Sequence, residues 1–121
     1  MIPERRVDGV LILSLQHALK GTGEAALKER LDELVREGNY EILIDMRQVP
    51  FVDSTELGRL IRSHLSVRRA GGRVRLCNLS PRVVTLMRMS KLDTVLEIYE
   101  TEDQALAHIR QGHADRIRGT T

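Results

Sequence analysis

Two adjacent hydroxyl side chains, Ser54 and Thr55, stand where a helix is predicted to begin, and they are the strongest candidates for chemistry in this 121-residue chain. They lie within residues 49–58, Val-Pro-Phe-Val-Asp-Ser-Thr-Glu-Leu-Gly. A hydroxyl at a helix N-terminus can accept a phosphate, because free backbone N–H groups and the positive end of the helix dipole favour the added negative charge. This pattern therefore indicates a candidate phosphorylation switch.

The same residues also have a purely structural interpretation. Asp53 can cap the helix, and Glu56, three residues later, can bond back to the Asp53 backbone, which is the capping-box pattern. A capping box needs no further function. The residues alone therefore leave both interpretations open.

Signatures of catalysis and cofactor binding are missing from the chain. There is no GxGxxG run, Walker lysine loop, HExxH pair or GxSxG elbow. The four histidines and the single Cys77 show no metal-ligand spacing, and His64 is interpreted as a satisfied residue at the edge of the core. The Gly21-Thr22-Gly23 turn could cradle a phosphate in a small enzyme or nucleotide-binding protein, but a turn with a helix cap explains it better. We therefore predict that the protein is not an enzyme and that it binds neither a metal nor a cofactor.

The composition limits the classes of partner and the cellular compartment that we predict for this protein. With two Tyr, one Phe and no Trp, the chain lacks the aromatic platforms on which single-stranded nucleic acids stack, so we predict no nucleic-acid partner. The first thirty residues contain neither a signal-peptide pattern nor an apolar run long enough to span a membrane. Together with the lone cysteine, this favours a cytoplasmic protein without membrane insertion.

Positive charge is concentrated in the middle of the sequence. Residues 57–92 contain no Asp or Glu and carry a charge of +9, whereas the whole chain carries +2. A basic segment can attract acidic proteins, phosphates or anionic lipids, but surface arginines also simply keep a protein in solution. We favour the second interpretation, because no aromatic residues interleave the arginines.

Helical and strand patterns alternate along the chain. An Asp8-Gly9 turn predicts a hairpin between residues 2–6 and 10–15. Apolar periodicity and capping residues predict four helices: near 23–37, from the Asp53-Ser54 pair to residues 70–72, after Ser80-Pro81, and from Thr101 to Gly112. Apolar runs predict further strands at 42–44, 73–77 and 95–99, of which 42–44 is expected to be central because it is apolar throughout.

Two side-chain patterns follow from these elements. In residues 73–77 the arginines at 73 and 75 are expected to face outward and Val74 and Leu76 inward. In the second helix one face is expected to carry Leu57, Leu60, Ile61, His64, Leu65 and Arg68. The fold class is an α/β single domain at residues 1–112, with a mixed, mostly parallel sheet, an N-terminal hairpin and about four helices. We predict that residues 113–121 form a flexible tail.

At these residues the chain resembles the STAS domain family, specifically the stand-alone bacterial anti-sigma-factor antagonists. The resemblance covers residues 8–110. Residues 42–45 and then 52–58 are similar to the family's strand and its Asp-Ser-Ser-Gly-Leu-Gly phosphorylation loop. Residues 70–74, 79–83 and 89–92 match further family segments in the same order.

The resemblance implies a sheet covered by helices on one side and a protein that does not itself catalyse a reaction. It implies that an anti-sigma factor with serine-kinase activity phosphorylates Ser54, with Thr55 as the less favoured acceptor, and that a PP2C-type phosphatase removes the phosphate. The unphosphorylated protein would capture the anti-sigma factor. The partner-binding residues implied are Asp53, Thr55, Glu56, Gly58, Arg59 and Lys20.

Three residues depart from the family pattern. Glu56 stands at the glycine of the loop, Lys20 stands at an acidic position, and Lys91 stands where glycine is favoured. A different partner is therefore compatible with the sequence. The alternative function is a constitutive STAS subunit of a stressosome-like or lipid-transport complex, in which Ser54 would only help to start a helix.

Overall fold

The computed structural model describes residues 2–16 and 22–119, and the side chains of residues 2–16 and 26–112.

An antiparallel hairpin forms one edge of the sheet. Strands β1 (Glu4–Val7) and β2 (Val10–Ser14) are joined by Asp8 and Gly9, which have φ values of 51° and 81°. Two consecutive residues in the left-handed region match the right-handed twist of the flanking strands, and the predicted hairpin is confirmed.

Three parallel strands complete the sheet. They are β3 (Glu41–Asp45), β4 (Arg73–Cys77) and β5 (Glu97–Tyr99). Within the described residues the order is β1-β2-β3-β4-β5, and all pairs after the hairpin are parallel. The prediction that residues 42–44 lie at the centre is confirmed. Because parallel strands end at the same edge, Ser14, Asp45 and Cys77 lie side by side there.

The predicted helices are present with small changes at their ends. They are α1 (Thr22–Arg36), α2 (Ser54–Arg69), α3 (Pro81–Met89) and α4 (Glu102–Gly119). The last helix continues past its predicted end at Gly112, while the flexibility of residues 113–121 stays a prediction. The predicted strand 95–99 is shorter, because a turn of 3-10 helix at Leu92–Thr94 precedes it. The α/β fold class with a mixed, mostly parallel sheet is confirmed.

The larger core lies between one face of the sheet and helices α1, α2 and α3. The strands contribute residues such as Leu13, Ile44 and Leu76, each with no exposed surface. The helices contribute Leu27, Leu31, Leu34, Leu57, Leu60, Val67, Val83 and Met87.

Helix α4 covers the other face, so the implied one-sided cover is wrong. Ala105, Leu106 and Ile109 of α4 pack against a second cluster of strand residues, Val10, Ile12, Leu43 and Cys77. Successive strand residues point to opposite faces, and here both sets are apolar, which leaves a second face that must be buried.

Two expectations about side-chain direction are wrong in part. Leu65 is 42% exposed and Arg68 is exposed, so the buried stripe of α2 is narrower than predicted.

In β4 the expected alternation is present for three residues, since Val74 and Leu76 lie in the larger core and Arg73 is exposed. Arg75 is buried instead of exposed, and it forms ion pairs with Glu41 and Glu97 on the neighbouring strands. Burial alone would lower the pKa of Arg75, but the hydrogen bond to Glu97 and the charge of Glu41 outweigh it and raise the pKa.

Leu60 tests the register of α2, because its side chain is 2% exposed within the larger core. We expect Leu60→Ala to lower the free energy of unfolding by about 2 to 5 kcal/mol, the usual cost of a buried large-to-small change. Urea denaturation measures this value, with Leu65→Ala as the matched control on the same helix. An equal effect at both positions would contradict the assigned register.

Lys91 occupies a left-handed backbone conformation, with φ of 58°. A side chain with a Cβ is strained there, so Lys91→Gly is expected to raise the free energy of unfolding by about 1 kcal/mol. Thermal denaturation of the two proteins measures the difference. Because Met89 is exposed on the preceding turn, Met89→Gly serves as a control that should destabilise. Destabilisation by Lys91→Gly would contradict the strain.

Candidate functional site

The site lies where β3 leaves the sheet. Oδ1 of Asp45, at the end of β3, accepts hydrogen bonds from the backbone N–H of Arg47 at 3.0 Å and from the side-chain amide of Asn78 at 3.0 Å. The N–H of Met46 donates to the Cys77 carbonyl at 3.0 Å. These bonds tie the ends of β3 and β4 together and fix the direction in which the following loop departs.

The loop of residues 46–53 is held by buried valine side chains and by a hydrogen bond from the start of α3. Val49 and Val52 are fully buried, whereas Phe51 between them is 43% exposed. The Ser80 hydroxyl donates to the Pro50 carbonyl at 2.9 Å and accepts from the N–H of Val83 at 3.3 Å. The start of α3 is thereby attached to the loop that leads into α2.

A capping box starts α2, as predicted. Oδ1 of Asp53 accepts from the backbone N–H of Glu56 at 2.8 Å, and Oε1 of Glu56 accepts from the N–H of Asp53 at 3.2 Å. The N–H of Leu57 donates to the Asp53 carbonyl at 2.9 Å. Asp53 has extended backbone angles and α2 begins at Ser54. The cap thus uses residues 53 and 56 and leaves the two hydroxyls between them out of the box.

The predicted site residues on α2 share its first two turns. Ser54 and Thr55 are exposed, and Asp53, Gly58 and Arg59 are half-buried. Lys20, the remaining residue of the predicted set, lies outside the described residues. The structure therefore brings together every described member of the set at one helix end.

Glu56 differs from its neighbours because its side chain is 2% exposed. One carboxylate oxygen bonds to the Asp53 backbone, and the other, Oε2, is buried with no hydrogen-bond partner among the described residues. A buried carboxylate offers little to an approaching protein. Its contribution to the site is to hold Asp53, and with it the exposed first turn.

Sequence reasoning missed one exposed pair beside this turn. The Arg82 guanidinium of α3 lies over the Phe51 ring, 4.8 Å from its centroid. This is a cation–π contact between residues far apart in sequence. In the sequence, the only indication of this contact was a single Phe in a loop that otherwise contains valines. The pair places an exposed apolar ring and a positive charge on the loop that leads into α2.

The other reactive residue types are unsuited to nucleophilic chemistry. Burial raises the pKa of the Cys77 thiol to about 12, so the thiol stays protonated at neutral pH. His64 is 9% exposed, and burial, followed by the charge of Arg68, lowers its pKa. Its Nδ1 has no hydrogen-bond partner among the described residues, so the expected satisfied histidine is buried but not satisfied. Of the predicted glycine turn, Gly21 lies outside the described residues.

The described residues contain neither a metal-binding cluster nor a membrane-spanning helix. No group of three or more His, Cys, Asp or Glu side chains in residues 2–16 and 26–112 is placed to hold a metal ion. No helix in the described part of the chain is long and apolar enough to cross a membrane.

Comparison with known proteins gives consistent matches over most of the chain. The model of the STAS domain family matches residues 2–105. The anti-sigma F factor antagonist of Paenibacillus polymyxa is 28% identical over 102 residues, which are 84% of this chain and 87% of that protein.

Solved structures show the same fold. A Thermotoga maritima protein, provisionally named an anti-sigma factor antagonist, superposes with a TM-score of 0.81 at 26% identity, over 90% of this chain and 94% of that chain. The Bacillus cell fate determinant SpoIIAA in its phosphorylated form gives a TM-score of 0.68 at 18% identity, over 90% of this chain and 99% of its own. At that identity the second match shows the fold alone.

The cap can be tested without any partner. Asp53→Ala removes the acceptor of the Glu56 N–H, so we expect the free energy of unfolding to fall by about 0.5 to 2 kcal/mol. Asp53→Ser keeps a capping oxygen and should lose less. Urea denaturation measures both variants. If the two variants lose the same amount, the Asp53 side chain does not cap α2.

Proposed function

The chain belongs to the STAS domain family, and from that premise we propose that it is an anti-sigma-factor antagonist controlled by reversible phosphorylation of Ser54. In this proposal the unphosphorylated protein captures an anti-sigma factor that is also a serine kinase. Phosphorylation releases that partner, and a PP2C-type phosphatase restores binding. The observation that carries the proposal is the exposed Ser54 hydroxyl, which the capping box presents on the first turn of α2.

A relative supports the class of partner, and a protein of the same fold offers a precedent for the modification. The Paenibacillus polymyxa protein is named for antagonism of an anti-sigma factor, and SpoIIAA has a solved phosphorylated form. In addition, the local structure of this chain meets the physical requirement for a switch of this kind. The acceptor is exposed, while the helix on which it lies is anchored by buried residues such as Leu57 and Leu60.

Phosphorylation needs no catalytic group from this chain. The kinase transfers the γ-phosphoryl group of ATP to Oγ of Ser54, so an O–P bond forms, ADP leaves and the hydroxyl proton passes to a base of the kinase. The phosphatase hydrolyses the same bond with water and returns the hydroxyl and inorganic phosphate. We therefore propose a binding protein rather than an enzyme, acting in the cytoplasm without a cofactor.

The partner surface in this proposal is the exposed part of the first two turns of α2 with the adjoining loop. It comprises Ser54, Thr55, Gly58 and the pair Phe51–Arg82. Exposed aromatic and arginine side chains are the residue types that most often anchor protein interfaces. Gly58 allows close approach, because a helix surface without a side chain brings the partner nearer to the backbone.

The energetics favour a change in binding over a change in fold. A phosphate adds about −1.5 to −2 charges. The positive end of the α2 dipole offsets part of that cost, by about 0.3 to 1 kcal/mol, so the domain stays folded. A packed interface must instead desolvate the phosphate, and every 1.4 kcal/mol of that cost weakens affinity about tenfold.

The second candidate function is a constitutive STAS subunit of a stressosome-like or lipid-transport complex. The complete capping box favours it, because Asp53 and Glu56 are explained by helix initiation alone. In that case Ser54 would stay unmodified, and partner binding would not depend on its charge.

Substitution of Ser54 separates the two functions. We expect Ser54→Ala to fold normally and bind the anti-sigma kinase of its host whether or not ATP is present, and Ser54→Asp to fold but bind at least tenfold more weakly. Thr55→Ala is the matched control and should still lose binding when ATP is added. Calorimetry with the purified kinase, before and after ATP, measures affinity, and mass spectrometry locates the phosphate. Phosphate at another residue, or equal affinity of Ser54→Ala and Ser54→Asp, would favour the constitutive subunit.

A further inference from the structure

Ser54, Gly58 and Arg62 follow one another at intervals of four residues along the exposed side of α2. Side chains on a helix lean toward its N-terminus, so Arg62 reaches back over the turn that contains Gly58. The structure shows this contact directly, because Nη1 of Arg62 lies 4.0 Å from the position that a Cβ on Gly58 would occupy. The guanidinium therefore lies between its own Cα and Ser54.

Arg62 has no carboxylate partner in the described part of the chain, although several other arginines there are paired. Arg30 binds Glu4, and Arg110 binds Asp8. The Arg62 side chain is exposed, and no ion pair connects it to any described residue. Its five N–H donors are free to bind an anion that comes within reach.

We propose that Arg62 binds the phosphate of phosphorylated Ser54 across Gly58. This inference rests on the proposed function, because it takes Ser54 as the modified residue. Residues four apart on a helix have Cβ atoms about 5 to 6 Å apart. The guanidinium already lies beside Gly58, one helical turn from Ser54. Rotation of the Arg62 side chain and of the phosphorylated Ser54 side chain can therefore bring the two groups together. A guanidinium can then donate two parallel hydrogen bonds to phosphate oxygens.

The helix N-terminus offers the phosphate backbone donors of its own, because the first N–H groups of a helix have no intrahelical acceptor. The N–H of Glu56 donates to Asp53 Oδ1 at 2.8 Å, so the cap uses one of these donors. The N–H groups of Ser54 and Thr55 are neutral, whereas Arg62 is a cation and can donate charge-assisted hydrogen bonds, which are stronger.

A contact between Arg62 and the phosphate changes the surface charge that a partner protein contacts. In the unphosphorylated protein the Arg62 charge is available to a carboxylate of the partner. In the phosphorylated protein Arg62 is occupied by the neighbouring phosphate. One modification thus adds a negative group and withdraws a positive one from the same surface.

The test uses the full chain with phosphoserine inserted at position 54 during translation, so that it needs neither the kinase nor the partner. Phosphorus NMR follows the second phosphate ionisation, whose pKa is about 6, in that protein and in its Arg62→Gln and Arg69→Gln variants. Arg69 is an exposed arginine in the last turn of α2 and serves as the matched control. Arg62→Gln is expected to raise the phosphate pKa by a few tenths of a unit, the size of an exposed ion pair, and Arg69→Gln is not.

Two further measurements make the result decisive. The pKa difference should shrink in 1 M NaCl, where the Debye length is about 3 Å. Gly58→Leu, checked for folding by circular dichroism, should raise the phosphate pKa as Arg62→Gln does, because a bulky side chain fills the path between the two groups. Equal pKa values in the unsubstituted and Arg62→Gln proteins overturn the inference. They leave the proposed function standing, since that depends on the kinase and on partner affinity.

Discussion

The reciprocal hydrogen bonds between Asp53 and Glu56 decide where α2 begins, and the surface proposed to bind the partner depends on that point. The box is fixed from both sides, because Val52 before it and Leu57 after it are buried in the larger core. The box also buries the Glu56 side chain, so Glu56 is not part of the exposed surface at the start of α2.

Much of this arrangement could be predicted from the sequence, because it depends on local chemistry. The Asp8-Gly9 hairpin, the capping box and the Ser80-Pro81 helix start each follow from a few neighbouring residues whose preferences are strong. The central position of residues 42–44 followed from their apolar character. These elements together place the hydroxyls at the carboxyl edge of the sheet.

The parts that were wrong or missed depend on contacts between residues distant in sequence. The alternating pattern of β4 predicts that Arg75 is a surface residue. Only the register of β4 with its two neighbouring strands places Glu41 and Glu97 beside Arg75. The contact between Phe51 and Arg82 needs the position of α3 against the loop. The placement of α4 on the second face likewise follows from the whole set of apolar strand residues, not from α4 itself.

We propose that the first turns of α2 are the surface through which Ser54 phosphorylation controls a protein partner. Amide hydrogen exchange tests this proposal, with the chain carrying either serine or phosphoserine at position 54 and the purified anti-sigma kinase of the host added without ATP. We expect exchange in residues 46–62 to slow with the serine form and to stay unchanged with the phosphoserine form. Equal protection in both forms, or protection confined to α4, would contradict it.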